Sequence, residues 1–506
     1  MRFPTPTRFY PTLTVPNNIL RFTPRLLALV PVAVAINLAV GRLVAELSLP
    51  VYLDTIGTIL AAALAGPWEG ILVGLVSQML AALLSGYQWL AFAPIQVMIA
   101  LLAAIAATRA GFRGTIPAAS WGVLTGLVGG AASAVISYVM FKGVTAGGVT
   151  ALGALFRSLG LSLSEAVGLA SLTTDLADKA LCFVFAGIAL RTLPRRMASR
   201  FPWALRAVGQ EHTSTGPGGR ASRARGGGEA ISPPESRVPD RRARAQVMAS
   251  GWSPLAVTAA PDAGRNRPAR LHPFTPFALV LAVVGLAFLL PGPLGPVALY
   301  LATVVVASVT GLTASVRRAV IICLPLWMLL LILHGVLGDA PKLDLGGMAL
   351  SVDGLRIAVA QAGRFGAIIT ASLMLYARFD PSRFLDAMAA RGWSFHSAYL
   401  LVATLQAAPR LARRAREIVE AQRCRGLRLA GGPLRRFAAL VPLVLPLTLG
   451  ALGEVDDRAI ALDTRGVAAA SRRTPLAPPP LRALDGALML AAAGLLALGI
   501  GWRALA

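Results

Sequence analysis

Long apolar runs are the feature that most narrows the folds open to this chain of 506 residues. Several runs extend for about 17–25 residues, the length that an α-helix needs to cross the hydrocarbon core of a bilayer. Backbone groups find no water there, so each run has to satisfy its own hydrogen bonds, as a helix does. Only 14% of the residues are charged, against about 25% in soluble domains, and the mean hydropathy is +0.67. The sequence therefore predicts an all-α polytopic membrane protein.

The charges divide the chain into two unlike apolar halves and a polar connection between them. The connection is rich in Arg, Gly and Pro, and it has too little apolar surface to offset the entropy lost on ordering. We therefore predict two transmembrane helical bundles, one over residues 1–198 with about six transmembrane helices and one over 272–506. Residues 199–271 are expected to form a flexible linker that keeps the two bundles at high effective concentration.

The formal net charge of +25 could indicate either a nucleic-acid partner or a membrane topology. Most of the excess is Arg beside apolar runs, a pattern that arises because Lys and Arg are retained on the cytoplasmic side of a membrane. The interleaved aromatic and basic residues of a nucleic-acid-binding module are not visible in the sequence. We therefore expect no nucleic-acid partner, a multi-pass protein in the lipid bilayer of the cell (plasma) membrane, and a cytoplasmic linker.

A basic region between about Arg378 and Arg482 is the most informative part of the second half. Apolar side chains recur there on one helical face, at Leu400, Leu401, Leu405 and Ala408. Other positions of the same helix carry Arg410, Arg413, Arg414 and Arg416. This pattern is typical of a helix that lies at a membrane surface or packs on a partner. We predict cytoplasmic or interfacial amphipathic helices over about 380–470.

Two similar segments in this region end in Arg-Gly, at Arg425-Gly426 and 40 positions later (465 − 425) at Arg465-Gly466. Glycine just past a helix end is a common cap, because it tolerates the left-handed conformation. Arg in the last turn interacts favourably with the negative end of the helix dipole. Local physics alone makes both segments ordinary helix ends, and we interpret a third such pair, at Arg391, in the same way.

From about His272 onward the chain resembles the transmembrane T component of energy-coupling factor (ECF) transporters. The resemblance rests on the two Arg-Gly endings and on the segments around them: Gly431-Gly432, Leu434, Arg435-Arg436, Leu440-Val441-Pro442-Leu443, Glu454, Asp456, Asp457 and Arg458. The usual motif of the family is Ala-Arg-Gly. Only its Arg-Gly core is kept here, because Cys424 and Thr464 stand in place of the alanine.

The resemblance implies that two ABC-type ATPase subunits dock on the helices that end in these motifs. The implied ATPase-coupling residues are Arg423, Arg425, Gly426, Arg465 and Gly466. Arginine suits this role, since its guanidinium is a rigid, permanently charged fork for carboxylates and carbonyl oxygens. The sequence contains no G-x-x-x-x-G-K-[ST] phosphate loop, so ATP and Mg²⁺ are expected on the partner subunits. We predict a transport subunit without catalytic residues, cofactor or metal site of its own.

The first half, from about Leu26 to Arg196, resembles the substrate-binding S component of the same transporters. The residues that carry this resemblance are Asn37, the segment from Leu49 to Thr58, the segment from Gly66 to Gly70, and Asp178-Lys179. Ionisable residues in or beside membrane spans are costly and often functional, and Gln and Trp side chains can line a pocket. The candidate substrate-binding residues are Asn37, Asp54, Gln78, Trp89, Gln96 and Asp175.

Three further predictions concern individual residues of the first half. Asp54 precedes an apolar run, so it also fits the N-cap of the following helix. Asp178 and Lys179 are adjacent in sequence, so we expect that they do not face each other on a helix. Ala35 and Ala39, four residues apart, would allow close approach of the first helix to a neighbour in the second half.

Uptake of a small-molecule micronutrient, driven by partner ATPases, is the function that the two resemblances imply together. Four scattered His residues and three distant Cys residues form no metal-ligand pattern, which favours a vitamin-like molecule over cobalt or nickel. An ion-gradient-driven secondary transporter remains an alternative, but it would favour two related halves, and these halves are unlike. A membrane enzyme or sensor would need a catalytic or signalling motif, and we find none.

Overall fold

A computed structural model defines the fold of most of the two apolar halves. It describes residues 23–47, 49, 51–85, 87–141, 143, 148–201, 203–208, 271–338, 342–345, 348–393, 395–427, 432–466 and 479–505. The predicted linker over 199–271 lies almost entirely outside the described residues. The described parts of both halves belong to one compact unit.

The first half consists of helices joined by short connections. They are α1 (Pro24–Glu46), α2 (Ile56–Leu64), α3 (Pro67–Ser85), a 3₁₀ turn (Tyr87–Phe92), α4 (Ala93–Thr108), α5 (Thr115–Phe141), α6 (Gly148–Ser158), α7 (Leu163–Thr192), α8 (Arg195–Ala198) and α9 (Ala204–Ala207). Gly66 and Pro67 separate α2 from α3, because proline cannot continue a preceding helix and favours the first position of the next.

The second half is also helical. Its elements are α10 (Phe274–Leu289), α11 (Leu294–Val309), α12 (Thr313–Leu330) with a π-helical extension (Leu331–Val336), β1 (Lys342–Leu345), β2 (Met348–Ser351), α13 (Val352–Arg378), α14 (Pro381–Ala390), α15 (Phe395–Cys424), α16 (Pro433–Ala438), α17 (Leu440–Thr464) and α18 (Ala483–Leu505). The strands β1 and β2 form an antiparallel hairpin in which Lys342 pairs with Ser351.

The prediction of an all-α polytopic membrane protein is confirmed, with the short hairpin as an addition. Within the described residues, seven helices are long and apolar enough to cross a membrane. They are α1, the 3₁₀ turn with α4, α5, α12, α13, α16 with α17, and α18. Helices α10 and α11 are apolar but shorter. Helix α7 is 30 residues long and carries Asp175, Asp178 and Lys179 in its middle.

Helix α1 is the centre of the largest apolar core. It is buried on almost every side, from Leu26 to Val44, because α2 and α3 cover part of it and α15 and α17 of the second half cover the rest. The same core continues through Leu411 and Leu447 of those two helices. A helix that is apolar all round is suited to such a position, since no face of it needs water.

Helices α5 and α7 pack backbone to backbone along a row of glycines. A Cβ atom added at Gly122 would lie 2.6 Å from Ala180 Cα, and one added at Gly126 would lie 2.6 Å from Asp175 O. Small residues at four-residue spacing allow this close approach within a membrane. The glycines therefore determine which face of α7 contacts α5 and which face is turned away from it.

The packed part of the first half extends beyond the predicted boundary at residue 198. Phe201 and Ala207 are buried, Trp203 N donates to Leu64 O at 3.2 Å, and Phe112 N donates to Ala207 O at 3.3 Å. The sequence analysis assigned these residues to the linker because of the Arg-rich segment that follows. Their own side chains are apolar enough to close the end of the bundle.

The glycine row predicts a local sensitivity to added volume. Gly126→Ala places a methyl group against the α7 backbone, so we expect a cost of about 1–3 kcal/mol and a lower thermal unfolding temperature in detergent. Gly168→Ala is the matched control on α7, because a Cβ atom there meets nothing within 4 Å. Equal unfolding temperatures for both variants would contradict this packing.

Candidate functional site

Helix α15 has the amphipathic character that the sequence predicts. Leu400, Ala408, Leu411 and Ala415 are buried, whereas Arg410, Arg413 and Arg416 are exposed. The buried face contacts α1 and α17. Arg410 and Arg416 lie at the edge of this face, where they line pockets together with Ala35 and Ala39 of α1.

Helix α17 packs beside α15 and connects to it through a charged contact. Arg414 Nη1 lies 2.7 Å from Glu454 Oε1, and Arg458 Nη2 lies 2.8 Å from Glu454 Oε2. Gly450 makes room for the arginine, since a Cβ atom there would lie 2.8 Å from Arg414 Nη2. One carboxylate on α17 thus accepts from both helices and fixes how they cross.

Both predicted coupling motifs lie at helix ends. Gly426 follows α15 with φ +90°, and Gly466 follows α17 with φ +63°, the left-handed region that favours glycine. Leu427 N donates to Gln422 O at 2.9 Å, which closes the end of α15. These are the helix stops that local physics predicts.

The arginines at these ends lie on the surface of the unit. Arg423, Arg425 and Arg465 are all exposed, as are the two glycines that follow. The hydrogen bonds that close both helix ends are made by backbone groups. The geometry is therefore compatible with contacts to another protein.

The two Arg-Gly ends lie near opposite ends of α1. Residues near the end of α17, Ile460 and Asp463, line a cleft of about 570 Å³ with Arg25. Arg423, near the end of α15, lines a different pocket with Arg42. Arg25 and Arg42 are separated by roughly 25 Å along α1, at 1.5 Å of rise per residue. The structure thus separates the two ends rather than bringing them together.

The third pair, at Arg391, has a local role. Gly392 follows α14 with φ +77°, like the other two glycines. Arg391 Nη1, however, lies 3.0 Å from His272 Nε2, and the guanidinium stacks over the Phe274 ring at 4.7 Å. Burial and the Arg391 charge lower the pKa of His272 below its usual value, so this histidine is neutral near pH 7.

The first half contacts the coupling helices chiefly through α1. Ala35 lines a small pocket with Ala407 and Leu411, and Ala39 lies beside Ala415. Both alanines are almost fully buried. The structure therefore places the pair of small residues where close approach to the second half requires them.

Polar groups border this apolar contact. Arg200 Nη1 lies 3.2 Å from Asp456 Oδ1 of α17, and Arg436 Nη1 donates to Leu47 O at 3.2 Å. A second contact between the halves is aromatic, because Phe141 stacks on Phe365 with 6.0 Å between ring centroids. The two halves are thus held together at two places in the described structure.

Two of the predicted substrate-binding residues tie helices together. Asn37 Nδ2 donates to Thr58 Oγ1 at 3.0 Å and to Ser77 Oγ at 2.9 Å, while Gly57 N donates to Asn37 Oδ1 at 2.6 Å. Thr58 Oγ1 in turn donates to Gln96 Oε1 at 3.2 Å. This network joins α1, α2, α3 and α4, so its first task is structural.

The loop between α1 and α2 is held by a carboxylate that the sequence analysis did not select as a site. Asp178 Oδ1 accepts from Tyr52 N at 2.8 Å and from Leu53 N at 2.6 Å, and Leu53 has a positive φ of 49°. A buried carboxylate that accepts two backbone N–H groups is well satisfied. The sequence feature that could have identified Asp178 is an acidic residue in the middle of an otherwise apolar helix.

Two local expectations are wrong. Lys179 Nζ contacts Asp178 Oδ2 although the residues are adjacent, because the long lysine side chain curls back along the helix. Lys179 Nζ also lies 3.9 Å from Asp54 Oδ1. Asp54 does not cap α2, which begins after Thr55, and that residue makes no side-chain cap hydrogen bond.

The remaining candidates are Asp175, Trp89 and Gln78. Asp175 is one turn before Asp178 on α7 and is 7% exposed. Trp89 packs edge to face on Tyr52, with 6.2 Å between ring centroids. Burial, followed by the charge of Asp175, raises the pKa of Tyr52 above its usual range, so its phenol stays protonated. Gln78 is buried on α3.

Comparison with known proteins covers the second half. Residues 264–476 match the protein family described as "CbiQ: Cobalt transport protein". The match extends across both Arg-Gly ends and leaves the whole first half outside it.

Two of the curated relatives are named as transmembrane proteins of energy-coupling factor transporters. The "Energy-coupling factor transporter transmembrane protein EcfT" of Exiguobacterium sibiricum is 28% identical over 166 residues, which are 31% of this chain and 62% of that protein. The protein of that name from Brevibacillus brevis is 27% identical over 35% of this chain and 72% of its own length. A Bifidobacterium longum protein, named as an ABC transporter ATP-binding protein, is 26% identical over 47% of this chain and 33% of its own length.

The Asp178 contacts predict a strong dependence of folding on one carboxylate. Asp178→Asn removes the nearest negative charge from buried Lys179, and breaking a buried ion pair costs about 3–5 kcal/mol. We expect thermal unfolding in detergent at a clearly lower temperature than in the wild type.

Asp54→Asn is the matched control, because it makes the same chemical change at the longer and partly exposed contact of the same lysine. It should cause a smaller loss. If Asp54→Asn destabilised the protein as much as Asp178→Asn, the account of this loop would be wrong.

Proposed function

We propose that this chain, whose C-terminal part is a transmembrane T component of the CbiQ family, is the membrane subunit of an ATP-driven uptake transporter of the energy-coupling factor type. In this proposal the first half captures a vitamin-like small molecule. The second half transmits the closing and opening of two separate ABC-type ATPase subunits. The linker and the coupling helices face the cytoplasm, where ATP and Mg²⁺ bind to the partners.

The observation that carries the proposal is the position of the two Arg-Gly ends. Each is exposed, each ends a helix that packs on α1, and they lie at opposite ends of that helix. In this proposal α1 therefore has to lie along the cytoplasmic side of the membrane rather than across it. Two separated basic ends suit two ATPase subunits better than a single docking site. Since α1 belongs to the first half, a change in the crossing of α15 and α17 would move that half with it.

The similarity to a protein named as an ABC transporter ATP-binding protein also favours ATPase partners. The alternative of an ion-gradient-driven transporter would leave the exposed Arg425 and Arg465 without a role. An electrostatic contact at these ends would come from carboxylates or carbonyl oxygens of the partner, for which arginine is well suited.

Cobalt or nickel uptake is a second candidate, favoured by the description of the matching family as a cobalt transport protein. Within the described residues, no group of three or more His, Cys, Asp or Glu side chains could hold a metal ion. Cells that express the complete transporter can be tested for accumulation of ⁵⁷Co²⁺. Accumulation above that of cells without the chain would support metal uptake over a vitamin-like substrate.

The coupling assignment predicts that charge reversal at both ends separates the complex. Arg425→Glu combined with Arg465→Glu should abolish co-purification of the ATPase subunits, because each end would then repel the acidic or carbonyl groups that it contacts. The measurement is the amount of ATPase retained by the tagged chain from cells that express all subunits.

The matched control combines Arg317→Glu with Arg356→Glu, which reverses the same number of exposed arginines on other helices. We expect this control to retain the ATPases. Full retention by the Arg425 and Arg465 variant would overturn the assignment of the coupling ends.

A further inference from the structure

We propose that the first half recognises a small organic cation through the Asp175 cluster, defined as Tyr52, Trp89, Ser171, Thr174 and Asp175. This inference rests on the proposed function, since it names the class of molecule that the capturing half would bind. It is argued from the charge balance, from buried groups without a partner, and from the aromatic residues beside them.

The charge balance around the loop is negative. Three carboxylates, Asp54, Asp175 and Asp178, are accompanied by the single cation of Lys179, a net formal charge of −2 (three negative charges less one positive). Lys179 is already engaged by Asp178 and Asp54. Within the described residues, no cation lies at ion-pair distance from Asp175, whose carboxylate accepts from the Ser133 side chain.

An unpaired carboxylate at this position is costly. Asp175 is 7% exposed, in the middle of a long helix of a membrane protein. Removing a charged group from water without a counter-charge has a large free-energy cost, and such groups in membrane proteins usually mark a binding site or an ion pathway. A positively charged ligand would provide the missing partner.

Two hydroxyl groups beside Asp175 also have no partner. Ser171 is 1% exposed and Thr174 is 3% exposed, and the hydroxyl oxygen of each makes no hydrogen bond within the described structure. Ser171 lies four residues before Asp175, so both side chains lie on the same face of α7. Buried hydroxyl groups are normally hydrogen-bonded, so both call for a partner, and that of Ser171 lies on the face of α7 that carries Asp175.

The aromatic residues complete the cluster. Tyr52 interacts electrostatically with Asp175, and its ring packs edge to face on Trp89. Trp89 Nε1 is buried without an acceptor. Aromatic faces attract cations, and a tyrosine beside a carboxylate is a common setting for a positively charged head group. The unused N–H and hydroxyl groups call for a ligand that also carries a hydrogen-bond acceptor.

An organic cation fits this set better than an anion or a bare metal ion. An anion would be repelled by the net negative charge, whereas a metal ion would need several ligands around it. A flat cation with an amide or a similar acceptor could pair with Asp175, pack on the aromatic rings and accept from the unused donors.

The test is calorimetric binding to the full chain in lipid nanodiscs, without ATPase subunits. The cationic probes are 1-methylnicotinamide and benzyltrimethylammonium. The neutral probe is 6-methylnicotinamide, an uncharged analogue of the first probe with the methyl group on a ring carbon, and the anionic probe is nicotinate. We expect the cations to bind at least about tenfold more tightly than the neutral probe, as one charge-assisted contact provides. Absence of binding by both cations, or equal binding of the neutral probe, would overturn the proposal.

Asp175→Asn should weaken cation binding by about tenfold or more, since the carboxylate charge is lost and the shape is kept. Without probe, this variant should unfold at the wild-type temperature or above, because no ion pair is broken. A lower unfolding temperature with unchanged binding would assign Asp175 a purely structural role. Tyr52→Phe provides a second variant, with weaker binding and an intact backbone contact to Asp178.

Asp353→Asn is the matched control, because it removes an exposed carboxylate in the second half. It should bind the cations as the wild type does. Failure of cation binding and failure of ATPase co-purification are separate results, since the first is measured without ATPases and the second without any probe. Either assay can therefore fail while the other stands.

Discussion

The burial of α1 is the constraint on which the rest of the structure depends. This helix starts the first half, yet much of its surface is covered by α15 and α17 of the second half. An apolar core that passes from Leu29 through Leu411 to Leu447 makes one unit of the described parts of both halves. Separating the two halves would expose the apolar surface of α1 to water or lipid, and the tight alanine contacts would be lost.

Helices α15 and α17 combine two requirements that oppose each other. Their inner faces have to be apolar to hold α1, while in the proposed transporter their ends have to be charged and exposed to meet a partner. The Arg414–Glu454 contact resolves part of this conflict, because it fixes the crossing of the two helices beside α1 without consuming Arg425 or Arg465. In the proposed transporter, motion at the ends therefore reaches the first half through side chains that are already in contact.

Much of the fold could be predicted from the sequence, because apolar length and Arg placement are strong signals. The ends of α15 and α17 followed from the Arg-Gly pairs, and the amphipathic face of α15 followed from its periodicity. The charged residues of α7 stood out in the sequence, but their contacts were not predicted. The hydrogen bond from Leu53 N to Asp178 Oδ1 joins residues that lie 125 positions apart in the chain, and no local pattern indicates such a contact.

The prediction of site residues from the sequence was limited in the same way. Asn37 was selected from the family resemblance and Gln96 as a side chain that could line a pocket, and the structure satisfies both by joining four helices. Asp175 was selected as an ionisable residue in or beside a span, and in its case the described structure provides no cation at ion-pair distance, although the charge of Lys179 acts on it. Residue type alone could not separate these two outcomes, since the difference lies in what the surrounding helices bring to each side chain.

The most direct test of the account is to remove the covalent connection between the halves. Residues 1–208 and 271–506 can be co-expressed as separate chains with a tag on one of them. If the α1 contact joins the halves, the untagged chain should co-purify in a one-to-one complex, and Ala35→Leu with Ala39→Leu should reduce its recovery, because the α1 contact is then lost while the Phe141–Phe365 contact remains. Recovery of the tagged chain alone, or a complex that is unaffected by the two leucines, would contradict the account.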